Sequence, residues 1–195
     1  RKLCIYWDVS ASNLSVNTNR IIEIIEKYIR KIGRVTVFFS TFNDFKISKK
    51  RFRIKDGNCN DLEKYILQLD YFGISRFDNL NFNEQHIDEY ILVTDGKLNF
   101  GNVPQINSNK KVYCISNKSG NVRFLKEICK KSNSQFIDCE GDMNILLNKL
   151  LYETSRYNID CQNCEFIVEN TNDQYNTISG FVENTNEINL EYGFK

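Results

Sequence analysis

Histidine is nearly absent from this chain, His86 being the only one in 195 residues. A zinc site built on imidazole therefore has nothing to combine it with. The Cys161-Gln-Asn-Cys164 pair has no second C-x-x-C to complete a four-cysteine site, so a local bridge or a chance spacing is its simplest reading. An excess of one charge is also missing: 26 lysines and arginines face 25 acids, a formal net charge of +1. No overall field draws the chain to nucleic acid or to an anionic membrane, and any partner must be recognised locally. Apolar runs long enough to span a bilayer are lacking too, which excludes membrane insertion by this segment. The chain opens at Arg1-Lys2, not at Met, and enters a strand at once, so no signal peptide is expected within these residues and targeting is unreadable from them. The expectation is a piece of a larger chain.

What is present begins with seven cysteines, an odd number. Cys4 and Cys114 lie inside apolar runs, where a free thiol behaves as a small hydrophobe, and a reducing, cytoplasmic setting is favoured. Asparagine is abundant throughout, so the sequons at Asn13 and Asn117 carry little information.

Periodicity gives strands alternating with helices. Leu3 to Trp7 is a short apolar strand, and Ile21, Ile22, Ile24, Ile25, Tyr28, Ile29 and Ile32 form one broad helical face ending near Gly33. Val35 to Phe39 reads as the next buried strand. Phe45 to Ile54 carries Lys46, Lys49, Lys50, Arg51 and Arg53, the charge pattern of a solvated edge strand rather than of a nucleic-acid patch. Asn58 or Asn60 is placed to cap a helix through Leu62, Tyr65, Ile66 and Leu69. Tyr90 to Val93, Val112 to Ile115 and Phe136 to Cys139 are further strands, with helices after the last two. Strands this short and apolar must be covered on both faces, which predicts a three-layer α/β/α, Rossmann-like, open and mostly parallel sheet over residues 1–155. From 156 to 195 the pattern turns to strands separated by Asn, Thr, Asp and Gly. That is a β-rich extension: a docked hairpin, or, as preferred here, the start of a second β-domain.

In open α/β sheets ligands gather beyond the carboxyl ends of the strands, where strand order reverses. Three polar groups fall at such places: Asp8-Val-Ser10-Ala-Ser12 after the first strand, Gly73-Ile-Ser75, and Thr94-Asp95-Gly96. Two carboxylates and three serine hydroxyls are all oxygen donors, which suit a hard cation, Mg²⁺ above Mn²⁺ or Ca²⁺. Alternate spacing in an extended segment would place Ser10 and Ser12 on one side, facing the ion, with Asp8 behind them. If the acids act mainly through bridging waters and neutral hydroxyls ligate directly, the ion stays electrophilic and accepts an outside carboxylate.

These residues, in this order, resemble the metal-ion-dependent adhesion site of the von Willebrand factor type A domain. The resemblance covers roughly residues 1 to 155. It implies direct metal contact from Ser10 and Ser12, with Ser75 standing where the family has a threonine, and it matches Asp8 and Asp95 to the family's two acids. Two departures are evident: serine replaces threonine with Ile74 beside it, and Phe77 to Ile87 is too short and polar for the family's helix there.

Simpler readings exist for each piece. Ser10 and Ser12 can cap the following helix, Asp8 can accept backbone N–H bonds, and Asp95-Gly96 can be an ordinary turn. Taken together, the expected function is a Mg²⁺-dependent protein-binding module, with no catalytic residue, whose metal captures Asp or Glu of a partner protein. The alternative is a metal-dependent nuclease or phosphatase using Asp8 and Asp95. Against it stand the absence of a G-x-x-x-x-G-K-[ST] loop and Ser10, not a second Asp, two residues after Asp8. A third reading makes the domain a structural spacer.

Overall fold

The computed structural model describes residues 1–45, 48–78, 80–97, 102–106 and 109–151, and the backbone of four strands at 156–160, 164–170, 176–182 and 189–193. The chain divides into two compact units, Arg1–Glu153 and Thr154–Lys195.

The first unit holds strands β1 (Lys2–Asp8), β2 (Val35–Phe42), β3 (Ser48–Ile54), β4 (Glu89–Val93), β5 (Lys111–Ser116) and β6 (Phe136–Asp138). Its helices are α1 (Thr18–Ile32), α2 (Asn60–Leu67), α3 (Val122–Lys131) and α4 (Met143–Leu151). The six strands form one sheet in the order β3-β2-β1-β4-β5-β6, parallel except for β3, which runs antiparallel to β2 along the edge. The sequence-based architecture is therefore the observed one, an α/β fold with a mostly parallel sheet.

The unbroken apolar runs have a direct cause. Alternate residues of β1 enter different cores: Leu3, Ile5 and Trp7 pack with α1, α2 and α4, while Cys4 and Tyr6 pack with α3 and the segment Phe77 to Ile87. With both faces covered, the strand is apolar from Leu3 to Trp7, and its charged residues, Lys2 and Asp8, fall at its two ends. Cys4 and Cys114 are free and buried among these side chains, and burial pushes the Cys4 thiol up to about 12. The large aromatics at the centre find partners for their polar ends, Trp7 Nε1 donating to Tyr71 Oη at 2.8 Å and Tyr6 Oη to the Asn81 carbonyl at 2.9 Å.

Helix α1 starts at Asn17, whose side chain accepts from Arg20 N–H, and it stops at Gly33 in a left-handed conformation (φ 79°). Helix α2 departs from expectation. Its N-cap is Cys59 without a side-chain bond, and Asn58 Oδ1 accepts from the Asn60 N–H just ahead of the first turn. Strand β3 is shorter than predicted; Phe45 lies before it, 73% exposed, and Lys49, Lys50, Arg51 and Arg53 are exposed along the edge, the Lys50 ammonium lying over the Tyr65 ring. No helix occurs between α2 and β4 among the described residues, yet Phe77, Leu80, Phe82 and Ile87 are all buried. The segment fills the core without regular structure.

In the second unit, β7 (Arg156–Asp160) pairs antiparallel with β10 (Asn189–Gly193), and β8 (Cys164–Asn170) with β9 (Asn176–Val182). Strand β7 was not anticipated. The Cys161/Cys164 pair lies outside the residues whose side chains are described.

Candidate metal centre

Strand order reverses between β1 and β4: from β1 the chain crosses to β2 on one side, and β4 lies on the other. The carboxyl ends of these two strands place Asp8 and Thr94-Asp95 side by side, at the crevice where ligands of open α/β sheets bind.

Asp8 is the hub. It is fully buried and its Oδ2 accepts two hydroxyl protons, from Ser75 Oγ at 2.5 Å and from Thr94 Oγ1 at 2.6 Å, while Oδ1 accepts from Ser10 N–H at 2.9 Å. Burial pushes the Asp8 carboxyl above its ordinary range, and the bonds from Ser75, Thr94 and Ser10 pull it back in part. Ser10 Oγ lies 2.9 Å from Ser75 Oγ and 3.3 Å from Ser12 Oγ. A hydroxyl has one proton to give. Since Ser75 gives its proton to Asp8, Ser10 must donate to Ser75, and Ser12 in turn to Ser10. The result is a directed chain, Ser12 to Ser10 to Ser75 to Asp8, running from a half-buried hydroxyl to a buried carboxylate.

The local backbone explains why these hydroxyls meet, and the reason is not the extended spacing expected. Ser10 is extended (φ −68°, ψ 154°), but Ala11–Ser15 forms a 3₁₀ turn that folds Ser12 back towards Ser10. Neither serine caps a helix: Ser10 makes no capping bond, and α1 is capped by Asn17. Two buried asparagines pin the loop, Asn13 Nδ2 donating to the Asp8 carbonyl at 2.7 Å and Asn117 Nδ2 to the Ser15 carbonyl at 3.1 Å. Ser75 is brought in by a small backbone lattice in which Ala11 N–H reaches the Gly73 carbonyl, Phe72 N–H the Val9 carbonyl and Asp44 N–H the Ile74 carbonyl.

Asp95 is held separately. Its Oδ1 accepts from Lys97 N–H at 3.0 Å, closing an Asx turn over Gly96 (φ 70°), so the ordinary-turn reading is correct for this oxygen. Its Oδ2 is different: fully buried, it has no hydrogen bond, although the Lys97 ammonium stands 3.4 Å away, within ion-pairing distance but not aligned to donate. No hydrogen bond links Asp95 to the Asp8 cluster among the described residues. The structure thus joins Asp8, Ser10, Ser12 and Ser75 directly and leaves Asp95 at the neighbouring strand end with a carboxylate oxygen to spare.

Sequence reasoning missed three contributors. Thr94 bonds Asp8 as closely as Ser75 does; Asn13 was lost in the abundance of asparagine; Lys97 was one cation among many. Only Thr94 had a readable signal, its place at the end of β4 beside Asp95.

The donor chemistry fits a hard divalent cation. Every proton in the chain of hydroxyls is turned inward to Asp8, which leaves oxygen lone pairs for a ligand, and Asp95 Oδ2 is a buried anionic atom without a donor. Among the described residues no three His, Cys, Asp or Glu side chains form a metal-binding group, so hydroxyls are indispensable to any such site. On the same rim stand two exposed phenyl rings, Phe45 and Phe72, with centroids 5.9 Å apart.

Comparison with solved structures supports the class of fold. An aerotolerance-related membrane protein from Bacteroides fragilis, solved with multiple mutations to serines, matches 76% of this chain and 98% of its own at 11% identity and a TM-score of 0.54. The conserved hypothetical protein BatB from Bacteroides thetaiotaomicron matches 76% of this chain and 96% of its own at 10% identity and a TM-score of 0.54. At such identities the likeness concerns the fold alone, a layered open α/β sheet. No protein-family profile matches the sequence, and neither does any curated protein.

Proposed function

We propose that the unit Arg1–Glu153 is a von Willebrand factor A-like protein-binding module whose metal site captures an acidic side chain of a partner protein. Ser10, Ser12 and Ser75 would hold the ion by their hydroxyls, with Asp8 and Asp95 as the balancing acids; Mg²⁺ is the preferred ion, Mn²⁺ and Ca²⁺ the alternatives. When bound, the ion supplies a positive charge that accepts a carboxylate. The observation that carries this reading is the directed hydroxyl chain ending on buried Asp8 at the switch point of the sheet. An isolated buried carboxylate with only neutral donors is an expensive arrangement, and a cation beside it offsets that expense. The exposed Phe45–Phe72 pair gives a partner an apolar surface beside the site.

Binding is preferred to hydrolysis because two-metal phosphoryl chemistry needs several acids to hold both ions, whereas Asp8 is surrounded by hydroxyls. The test is calorimetric titration of the chain with Mg²⁺ and Mn²⁺. Wild type should take up one ion, and Asp8→Ala and Ser10→Ala should weaken uptake at least tenfold, about 1.4 kcal/mol. Unchanged uptake in both variants refutes the proposal, and Mg²⁺-dependent turnover of RNA, DNA or a phosphomonoester, lost in Asp8→Asn, replaces it with the hydrolase.

A further inference from the structure

Lys97 stands where a metal ion would be expected to draw on Asp95. Its backbone N–H satisfies Asp95 Oδ1, and its ammonium reaches to 3.4 Å from Oδ2, the buried oxygen without a hydrogen bond. The two side chains differ sharply in exposure: Asp95 is fully buried, whereas the Lys97 side chain is 49% exposed. The carboxylate is therefore enclosed, while the cation that faces it stands half in water. Fixation of Asp95 is reinforced from behind, where Asn121 N–H bonds its carbonyl at 2.7 Å and Gly120 packs so closely that an added Cβ would lie 2.6 Å from that same carbonyl oxygen.

We propose that Lys97 is a tethered counter-cation of this site, which competes with a divalent ion for Asp95 and leaves the loaded site with a surplus positive charge. The inference rests on the metal-binding reading above. The charge count is simple. Asp8 and Asp95 together balance one divalent ion; Lys97 adds one further positive charge within ion-pairing distance of Asp95. Its effects on the two ligands are opposite in sign. It weakens the hold on the metal, because two cations contest one carboxylate oxygen, and it strengthens the hold on an incoming carboxylate, because the loaded site stays positive instead of neutral. A side chain half in water is screened, so the expected effect is of the order of tenfold each way and shrinks with salt.

The experiment compares wild type, Lys97→Met and Lys97→Arg. Mn²⁺ uptake is read by calorimetry, and binding of acetate to the Mg²⁺-loaded chain is read by NMR shifts. Lys97→Met should bind Mn²⁺ about tenfold more tightly and acetate several-fold more weakly, with both differences fading at high ionic strength; Lys97→Arg should follow wild type. Wild-type uptake of Mn²⁺ with Lys97→Met unchanged within twofold overturns the role of Lys97 and leaves the metal site standing. Uptake by none of the three overturns both.

Discussion

At the scale of single residues, one buried carboxylate stands apart from the candidate site: Glu89, at the opposite end of β4. It is 1% exposed, Tyr28 Oη donates to its Oε2 at 2.8 Å, and Arg1 lies 3.1 Å from the same oxygen. Burial raises its carboxyl above the 4.5 of an ordinary Glu, and the Tyr28 bond and the Arg1 and Lys111 charges only partly reverse this. The folded chain thus holds the Glu89 proton more tightly than the unfolded one. That contribution to stability is full below about 4.5 and is lost as pH rises through the higher folded value. Glu89→Gln removes the titration while keeping an oxygen for Tyr28. Urea unfolding at pH 4 and pH 7 should show a smaller fall in stability for the variant than for wild type, and parallel falls would contradict the assignment. Legibility at this scale was uneven. Asp8, Ser10 and Ser12 could be read because a strand end makes polar residues conspicuous against an apolar run. Thr94 stands at a strand end as well, so its place was legible though its bond to Asp8 was not, whereas Asn13 and Lys97 act through geometry that only the folded loops create.

At the scale of elements, loops rather than strands or helices build the site, and Gly73 shows how tightly they are fitted. It adopts φ 72°, and a Cβ there would collide with Asp44 Oδ1 and lie 3.1 Å from the Phe45 ring. Asp44 Oδ1 is also the acceptor for Ile74 N–H at 3.0 Å, the bond that precedes Ser75. Gly73→Ala should therefore cost about 1–3 kcal/mol of stability, through a strained backbone and a displaced loop. Because Ser75 is carried by the same backbone, the variant should also lose affinity for Mn²⁺. Urea midpoints and the titration above check the two effects, and retention of both would show that the loop tolerates the methyl group. The alternation of strands and helices was legible because both-face burial writes continuous apolar runs. The segment before β4 was not: Phe77, Leu80, Phe82 and Ile87 follow neither a period of two nor one of 3.6, since irregular backbone presents each to the core by its own turn.

At the scale of the molecule, strand order is what turns separate motifs into one site. Nothing in hydrophobic periodicity says that β1 lies between β2 and β4; the rule that parallel crossovers share one hand only narrows the choices. Once β1 is central, Asp8 and Thr94 become neighbours although 86 residues apart in sequence, and Asp8 meets Ser75 across 67. A sheet with a central strand of this kind needs cover on both faces: α1, α2 and α4 pack on one face, α3 and the chain from Phe77 to Ile87 on the other. The expected consequence is that Arg1–Glu153, expressed without residues 154–195, unfolds in urea as one cooperative transition with the midpoint of the full chain. It should also take up Mn²⁺ with the same affinity, since Asp8, Ser10, Ser12, Ser75 and Asp95 are all within it. A broadened transition or a lowered midpoint would show that Arg1–Glu153 does not fold independently, and weakened uptake with an unchanged midpoint would show that it does not carry the whole site.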